Sequence, residues 1–554
     1  METRHFPRTW RTLLIGLAVL ITVVQIFRPG INQDVRYVLG GLQVTAGAGL
    51  GWSETWVHRP LFSRGLMALI GAISPGEYWP QEIMVRFWSV LLAVVAGVLL
   101  YRSLRRWAGV RGAEWIGLAA AAALAWAPGW DFAEPEWYAA ALAVLAIGIA
   151  LARDHSRFVG PLLAGLLLAV VVLLKFTTAA TALAAILLLA ALDRRLAIRT
   201  AVVTAVGTLG LFALTVAVEP HEWQWLRDMP VLNPPLTAAA LAASAKGFAN
   251  ELVVSPIIVV ALVAQVWLWH RGGSHRRWAL GNLLVMAILA VPFLVQHQNF
   301  LYHLAALPVF SAVSVATIAH RAIRAGDGVP VALPITAALG FAVSCLLFVP
   351  GNSFRTRHSW LALAAELVVL AVGVLLVWWQ PSAFREIFSD RISSGRGWMA
   401  MCCLLPLVVT LSPRAAYSFS LAHRTVTPAV NLAAARYAGA TAERVHHALP
   451  PEAEVVYLAF NTQWVLRNAT PCRYASPTFL QRATGKQARA IAATESFAEN
   501  LACLSDPRAR YVVIEESWFD PAKANPQVAD ALARNFDCER RIWAADGLLI
   551  CPRR

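Results

Sequence analysis

The first ionisable group placed to do chemistry is a carboxylate. Asp34 lies in Asn32-Gln33-Asp34-Val35-Arg36-Tyr37, just beyond an apolar run at 13–27, and is followed by Trp56-Val57-His58-Arg59-Pro60-Leu61. A carboxylate held where water meets lipid is poised to take a proton from a hydroxyl whose oxygen is attacking an electrophilic carbon. The same position also suits a plainer job, capping a helix that begins at Val35, as Asp often does.

Further acids are packed into Pro128-Gly129-Trp130-Asp131-Phe132-Ala133-Glu134-Pro135-Glu136-Trp137-Tyr138, a short stretch between two apolar runs. Carboxylates this dense in an apolar chain are costly unless solvated, paired or bound to a cation. A loop solvates them easily, and Glu136, just after Pro135, also complements a helix dipole.

Cations stand at the ends of other apolar runs: Lys175 in Leu173-Leu174-Lys175-Phe176-Thr177-Thr178, and His303 in His297-Gln298-Asn299-Phe300-Leu301-Tyr302-His303. A positive group at headgroup depth can hold a phosphate and stabilise it as it leaves, and Arg59 is placed to share that work. The simpler alternative for Lys175 is snorkelling to the interface. Glu219-Pro220-His221-Glu222 has metal-compatible residue types but no recognised ligand spacing. Asn468-Ala469-Thr470 matches an N-glycosylation acceptor, a short and often fortuitous pattern, and Gly40-Gly41 opens no phosphate-cradling loop.

The elements that position these groups follow from composition. Of 554 residues, 58% are hydrophobic and only 14% charged, where soluble proteins carry about a quarter charged. The apolar residues cluster into runs approaching the roughly 20 residues a helix needs to cross a bilayer, without the alternation of barrel strands. About thirteen transmembrane helices are expected. The net charge of +15 is topological and does not imply nucleic acid, because the arginines gather in the short loops after every second span, as at Arg102, Arg105, Arg106 and Arg111 or Arg321 and Arg324. Acids such as Asp34, Glu54, Glu134 and Glu222 favour the opposite loops. An odd span count leaves the N-terminus cytoplasmic and the tail outside, with no cleavage site after the first span.

The segment 28–82 reads as an outer loop holding an interfacial helix at 61–73, too short to cross. A second outer loop, 219–250, carries Trp223, Trp225 and the turn signal Asn233-Pro234-Pro235. The tail reads as a small α/β domain with strands at 455–460, 511–514 and 548–551 and helices near 430–448, 487–504 and 525–535. Cys472, Cys503, Cys538 and Cys551 fall in it, allowing two disulfides in three pairings that spacing leaves open.

Together, Asp34 in the first outer loop, His58-Arg59-Pro60-Leu61 after it, the Glu134-Pro135-Glu136 loop and Lys175 at a span's end resemble the C-superfamily (GT-C) glycosyltransferases. The nearest pattern is the branch of protein O-mannosyltransferases and lipid A aminoarabinose transferases. The resemblance implies a polytopic α-helical membrane protein: a catalytic domain over 1–413, with interfacial helices in 28–82, and an extracytoplasmic α/β domain over 414–554. It implies transfer of a sugar, with inversion, from a polyprenyl-phosphate donor to a cell-envelope glycan, lipid or protein in the plasma (inner) membrane. Asp34, Glu134 and Glu136 match the catalytic acids, and Lys175, Arg59 and His303 the cations near the donor phosphate. No cofactor is fixed by these residues, and a divalent cation is compatible with them. Asp34 is not part of a doubled acidic motif, and His58-Arg59 stands where many relatives carry proline or tyrosine. Two competing readings are a transporter or flippase for a lipid or polysaccharide precursor, which usually shows internal repeats and midplane charges, and a noncatalytic membrane scaffold.

Overall fold

The computed structural model describes residues 8–27, 30–127, 131–152, 158–232, 237–296, 300–350, 357–379, 395–411 and 428–554. Pro128-Gly129-Trp130, the Asn233-Pro234-Pro235 turn signal and His297-Gln298-Asn299 lie outside them. The chain divides into two compact units. The first gathers 1–30, 86–208 and 236–431; the second gathers 31–85, 209–235 and 432–554.

In chain order the helices used below are α1 (Arg8–Phe27), α2 (Gln33–Gly47), α3 (Leu61–Ala72), α4 (Tyr78–Trp126), α5 (Pro135–Leu151), α6 (Val159–Leu174), α7 (Ala179–Leu192), α8 (Arg194–Val218), α9 (His221–Asp228), α10 (Ala238–Val254), α11 (Ile257–Arg271), α12 (Ser274–Gln296), α13 (Ala306–Arg324) and α14 (Ala332–Leu347). Among the described residues five helices are long and apolar enough to cross a membrane: α4, α8, α12, α13 with its preceding turn, and Trp360–Trp379. Several more apolar helices, α5, α6, α11 and α14 among them, are shorter.

The first unit is built from these apolar helices, and small residues set how closely they pack, as expected where lipid supplies no hydrophobic drive between helices. The long α4 breaks at Gly109, whose φ of 70° only glycine adopts without strain. Its two arms then lie against each other: a Cβ at Gly97 would sit 2.7 Å from the Gly117 carbonyl oxygen, and one at Gly117 would sit 2.6 Å from that of Gly97. Gly165 on α6 serves α8 in the same way, since a Cβ there would meet Val203 at 2.5 Å.

The second unit holds a four-stranded sheet in the order β1-β2-β4-β3, with β1 Val455–Leu458, β2 Tyr511–Glu515, β3 Trp543–Ala545 and β4 Leu548–Pro552. β1 and β2 pair in parallel, with Val455 opposite Tyr511, and the other pairings are antiparallel. Disulfides join Cys472 to Cys503 and Cys538 to Cys551, choosing one of the three pairings the sequence left open. The core takes in more than the tail: Trp56 stacks on Trp225 at 4.7 Å, and the Trp225 indole N–H donates to the Tyr474 hydroxyl at 2.8 Å. Arg64 on α3 is fully buried and donates to Glu222 on α9 at 2.7 Å, while its guanidinium lies 4.6 Å from the Trp225 ring centroid. Burial of this ion pair is tolerable because each charge is matched.

Asn468 is buried, and its amide donates to the carbonyls of Pro450, Pro451 and Ala453. The glycosylation pattern at Asn468-Ala469-Thr470 is therefore a structural asparagine clamping a turn.

Candidate active site

Two clusters hold the residues singled out from sequence, one in each unit, and each is built from helix ends.

In the first unit, Pro135 starts α5 with its ring at the first helical position, where the missing N–H costs nothing. Glu136 follows in the first turn and is 3% exposed. Lys175 is the residue on which α6 ends, and His303 lies in the 3-10 turn Leu301–Leu304 that leads into α13. These ends converge. The Lys175 ammonium donates to Glu136 Oε1 at 2.6 Å, and His303 Nδ1 lies 2.8 Å from the same oxygen. Glu136 Oε2 takes no hydrogen bond among the described residues.

The surrounding shell comes from two more helix ends. The Gln296 amide at the end of α12 donates to the Thr177 hydroxyl at 3.1 Å and lies 3.1 Å from His303 Nδ1. The Tyr302 ring centroid lies 5.1 Å from the Lys175 ammonium, within cation–π range. Lys175 is thus an anchored cation with an 18% exposed side chain. Gln296, Thr177 and Tyr302 carried no distinguishing signal beyond a polar residue at the edge of an apolar run.

Glu134 is the N-cap residue of α5 and is fully buried. The residue before it, Ala133, is held at φ 68°, a strained conformation for a side chain with a Cβ. Burial raises the Asp131 carboxyl well above the usual carboxylate range, with the negative charges of Glu251, Glu134 and Glu136 adding to it.

In the second unit, Asn32 and not Asp34 caps α2: the Asn32 side-chain oxygen accepts from the Asp34 N–H at 2.9 Å. This corrects the capping alternative and leaves the Asp34 carboxylate in the first helical turn, where Arg59 donates to its Oδ2 at 3.1 Å. Arg59 follows His58, whose φ of 54° is again left-handed. Beyond Asp34 on the same helix, Tyr37 is 1% exposed, stacks on Phe460 at 4.7 Å and faces the His58 ring at 5.3 Å. Burial raises the Tyr37 phenol, and its hydroxyl takes no hydrogen bond among the described residues. His58 is pushed down to about 3, first by burial and then by the positive charges of Arg59 and Arg482. It is therefore neutral at physiological pH.

The local fold follows from the sequence. Gly40 and Gly41 let α2 approach its neighbours, since a Cβ would meet the Trp464 backbone nitrogen at 2.6 Å or Val57 Cγ1 at 2.7 Å. Arg36, two residues beyond Asp34, donates to buried Glu82 at 2.6 Å, which fixes the helix's rotation about its axis.

The structure brings Glu136, Lys175 and His303 together in one unit, and Asp34 with Arg59 in the other. Glu219 and His221 also meet, at 2.8 Å, with Glu499 3.4 Å from the other imidazole nitrogen. Among the described residues no group of three or more His, Cys, Asp or Glu is arranged to hold a metal ion.

No protein-family model matches the sequence, and no curated protein matches it. The fold does have solved counterparts. The chain is similar to ArnT from Cupriavidus metallidurans bound to undecaprenyl phosphate, at 17% identity and a TM-score of 0.54, over 99% of this chain and 98% of that one. The apo state of the same protein aligns at 16% identity and a TM-score of 0.52, over 98% of each chain. The arabinosyltransferase EmbB from Mycobacterium smegmatis aligns at a TM-score of 0.38 and 16% identity, over 78% of this chain and 44% of that one. The chain thus shares its fold with ArnT along nearly its whole length.

Proposed function

We propose that this integral membrane protein is a glycosyltransferase that moves a sugar from a polyprenyl-phosphate donor onto an extracytoplasmic acceptor, with inversion at the anomeric carbon. One observation carries this reading: a lysine fixed by a carboxylate and an imidazole at the ends of apolar helices, in a chain whose fold follows that of a protein seen with undecaprenyl phosphate.

A phosphate monoester leaves as an anion, so catalysis needs a cation that is already in place and need not reorganise. Lys175 meets that need, with His303 beside it, and Glu136 orients both. Arg59 offers a guanidinium, of the type that grips phosphate by two parallel hydrogen bonds. Asp34 takes the proton from the acceptor hydroxyl as that oxygen bonds to the anomeric carbon and the sugar–phosphate bond breaks. Glu134 is the further acid that this reading assigns to the reaction.

The chain's layout in this reading is about thirteen spans, an N-terminus inside the cell, and residues 414–554 outside in the plasma (inner) membrane setting. The acceptor is a cell-envelope glycan, lipid or protein. An outward-facing site suits a lipid-linked donor because the lipid carries the sugar across the membrane.

The test uses the full-length protein reconstituted in liposomes with a radiolabelled polyprenyl-phosphate sugar and an envelope lipid extract. Label moving to the extract in the wild type, and not in Asp34→Asn of equal insertion, is expected. Equal transfer by the two proteins would remove Asp34 as the base. Passage of intact donor across the bilayer, without transfer, would favour the flippase reading.

A further inference from the structure

Helices α5, α7, α12 and α13 each have a second end, and the groups proposed for chemistry occupy only one of them. From His303 to Arg321 the chain climbs about 27 Å at 1.5 Å per helical residue, close to the ~30 Å of a hydrocarbon core. At those far ends, entirely within the first unit, lies a cavity of about 180 Å³. Its body is apolar, with Leu104, Val144, Ile147, Phe310 and Val313 among its walls. Exposed Arg321 and Arg324 also line it, with Asn282 and the half-buried Trp278. A second hollow of about 280 Å³ shares Trp278, Asn282, Leu188 and Val285 with it and is bordered by Arg277.

The charge on this pair of hollows is one-sided. No Asp or Glu lines either of them. Nearby, Arg271 is paired with Asp327 at 2.5 Å. By contrast, among the described residues no carboxylate lies within salt-bridge distance of Arg277, Arg321 or Arg324, and the Arg321 guanidinium instead lies on the Trp278 ring at 4.1 Å. Three cations therefore border an apolar shaft at a depth where tryptophan and arginine meet lipid headgroups.

We propose that these joined hollows bind an anionic phospholipid from the leaflet bordered by the arginine-rich connections. An acyl chain fills the shaft between α5, α12 and α13, and the phosphate sits on Arg321 and Arg324 with Arg277 beside it. Charge complementarity selects the occupant. A zwitterionic lipid would bring an ammonium group to a rim with no carboxylate to receive it, and a soluble phosphate would leave the apolar shaft unfilled.

The test is native mass spectrometry of the full-length protein in mild detergent, with phosphatidylglycerol or phosphatidylcholine of identical acyl chains added. Phosphatidylglycerol should be retained about tenfold more tightly, a comparison that needs no variant. The double variant Arg321→Ala, Arg324→Ala should lose that preference. Val313→Phe, which narrows the shaft without touching a charge, should also lower retention. Equal retention of the two lipids, a detergent or second copy as the only adduct, or retention unchanged in either variant would overturn the assignment. None of these substitutions touches the groups assigned to sugar transfer, so a failure here leaves that reading standing.

Discussion

Glu136 and Asp34 are both carboxylates in the first turn of a helix, yet their surroundings differ in kind. Glu136 has a side chain 4% exposed and receives both Lys175 and His303 on one oxygen. Asp34 has a side chain 20% exposed and meets Arg59 at 3.1 Å from a loop that passes through a left-handed His58. A carboxylate withdrawn from water stays charged only when donors replace the water. Glu136 is held in that way, which makes it the holder of a cation. Asp34 keeps contact with solvent, which suits the proton-accepting role proposed for it. The difference separates two jobs that an acid-counting view of the sequence would merge.

The sharpest way to break this contrast is Asp34→Asn. Loss of a general base should lower kcat by about 10²- to 10⁴-fold, with donor KM nearly unchanged. A fall in donor affinity without loss of kcat would reverse the two roles. Lys175→Ala should act on the other quantity, raising donor KM about 10- to 100-fold, the worth of a hydrogen bond to a charged group. Measuring the double variant as well tells whether the two residues act on the same bound donor, since independent sites give additive free energies. Glu136→Gln leaves Lys175 its partner's shape without the charge, so a smaller loss of about fivefold in donor affinity is expected, with recovery in part because a neutral hydrogen bond remains. A loss larger than that of Lys175→Ala would mark Glu136 as a reacting group in its own right.

The smallest effect concerns acidity. His58 titrates at about 3 in the folded chain against 6.5 when exposed. Its folded value is the lower, so the unfolded chain binds the proton first, and the stability His58 contributes above pH 6.5 is lost as pH falls towards 3. His58→Gln should flatten that acid limb in thermal melts between pH 6.5 and 4. An unchanged limb would mean that His58 already takes up its proton in the folded state.

Much of the fold was legible because long apolar helices announce themselves by length and composition, and α3 forms where a short apolar run was read. Strands β1, β2 and β4 were visible as short apolar runs, whereas β3, of three residues, gave too little pattern beside the Asp546-Gly547 turn. The expected helix at 487–504 is interrupted because Thr494 caps a new one, its side chain accepting from the Phe497 N–H. Asp34 was found from its place after a span, but Asn32 took the capping role two residues earlier, a choice that depends on which side chain reaches the free N–H. Charge and spacing revealed Lys175 and His303 singly. Their meeting on one oxygen of Glu136 depends on how five helix ends are brought together, and no local pattern encodes that. Cysteine pairing, and the packing of Trp56 and Trp225 with the tail, are likewise tertiary facts.

The second unit gathers 31–85 with 432–554, and this discontinuity sets a timetable for biogenesis. Residues 31–85 leave the ribosome about 350 residues before the strands that complete their core, a wait on the order of 20 to 70 s at ordinary translation rates. Throughout that interval Trp56 and Arg64 have no finished interior to enter. Slowing synthesis within the intervening segment should therefore lengthen the newborn chain's exposure to proteolysis.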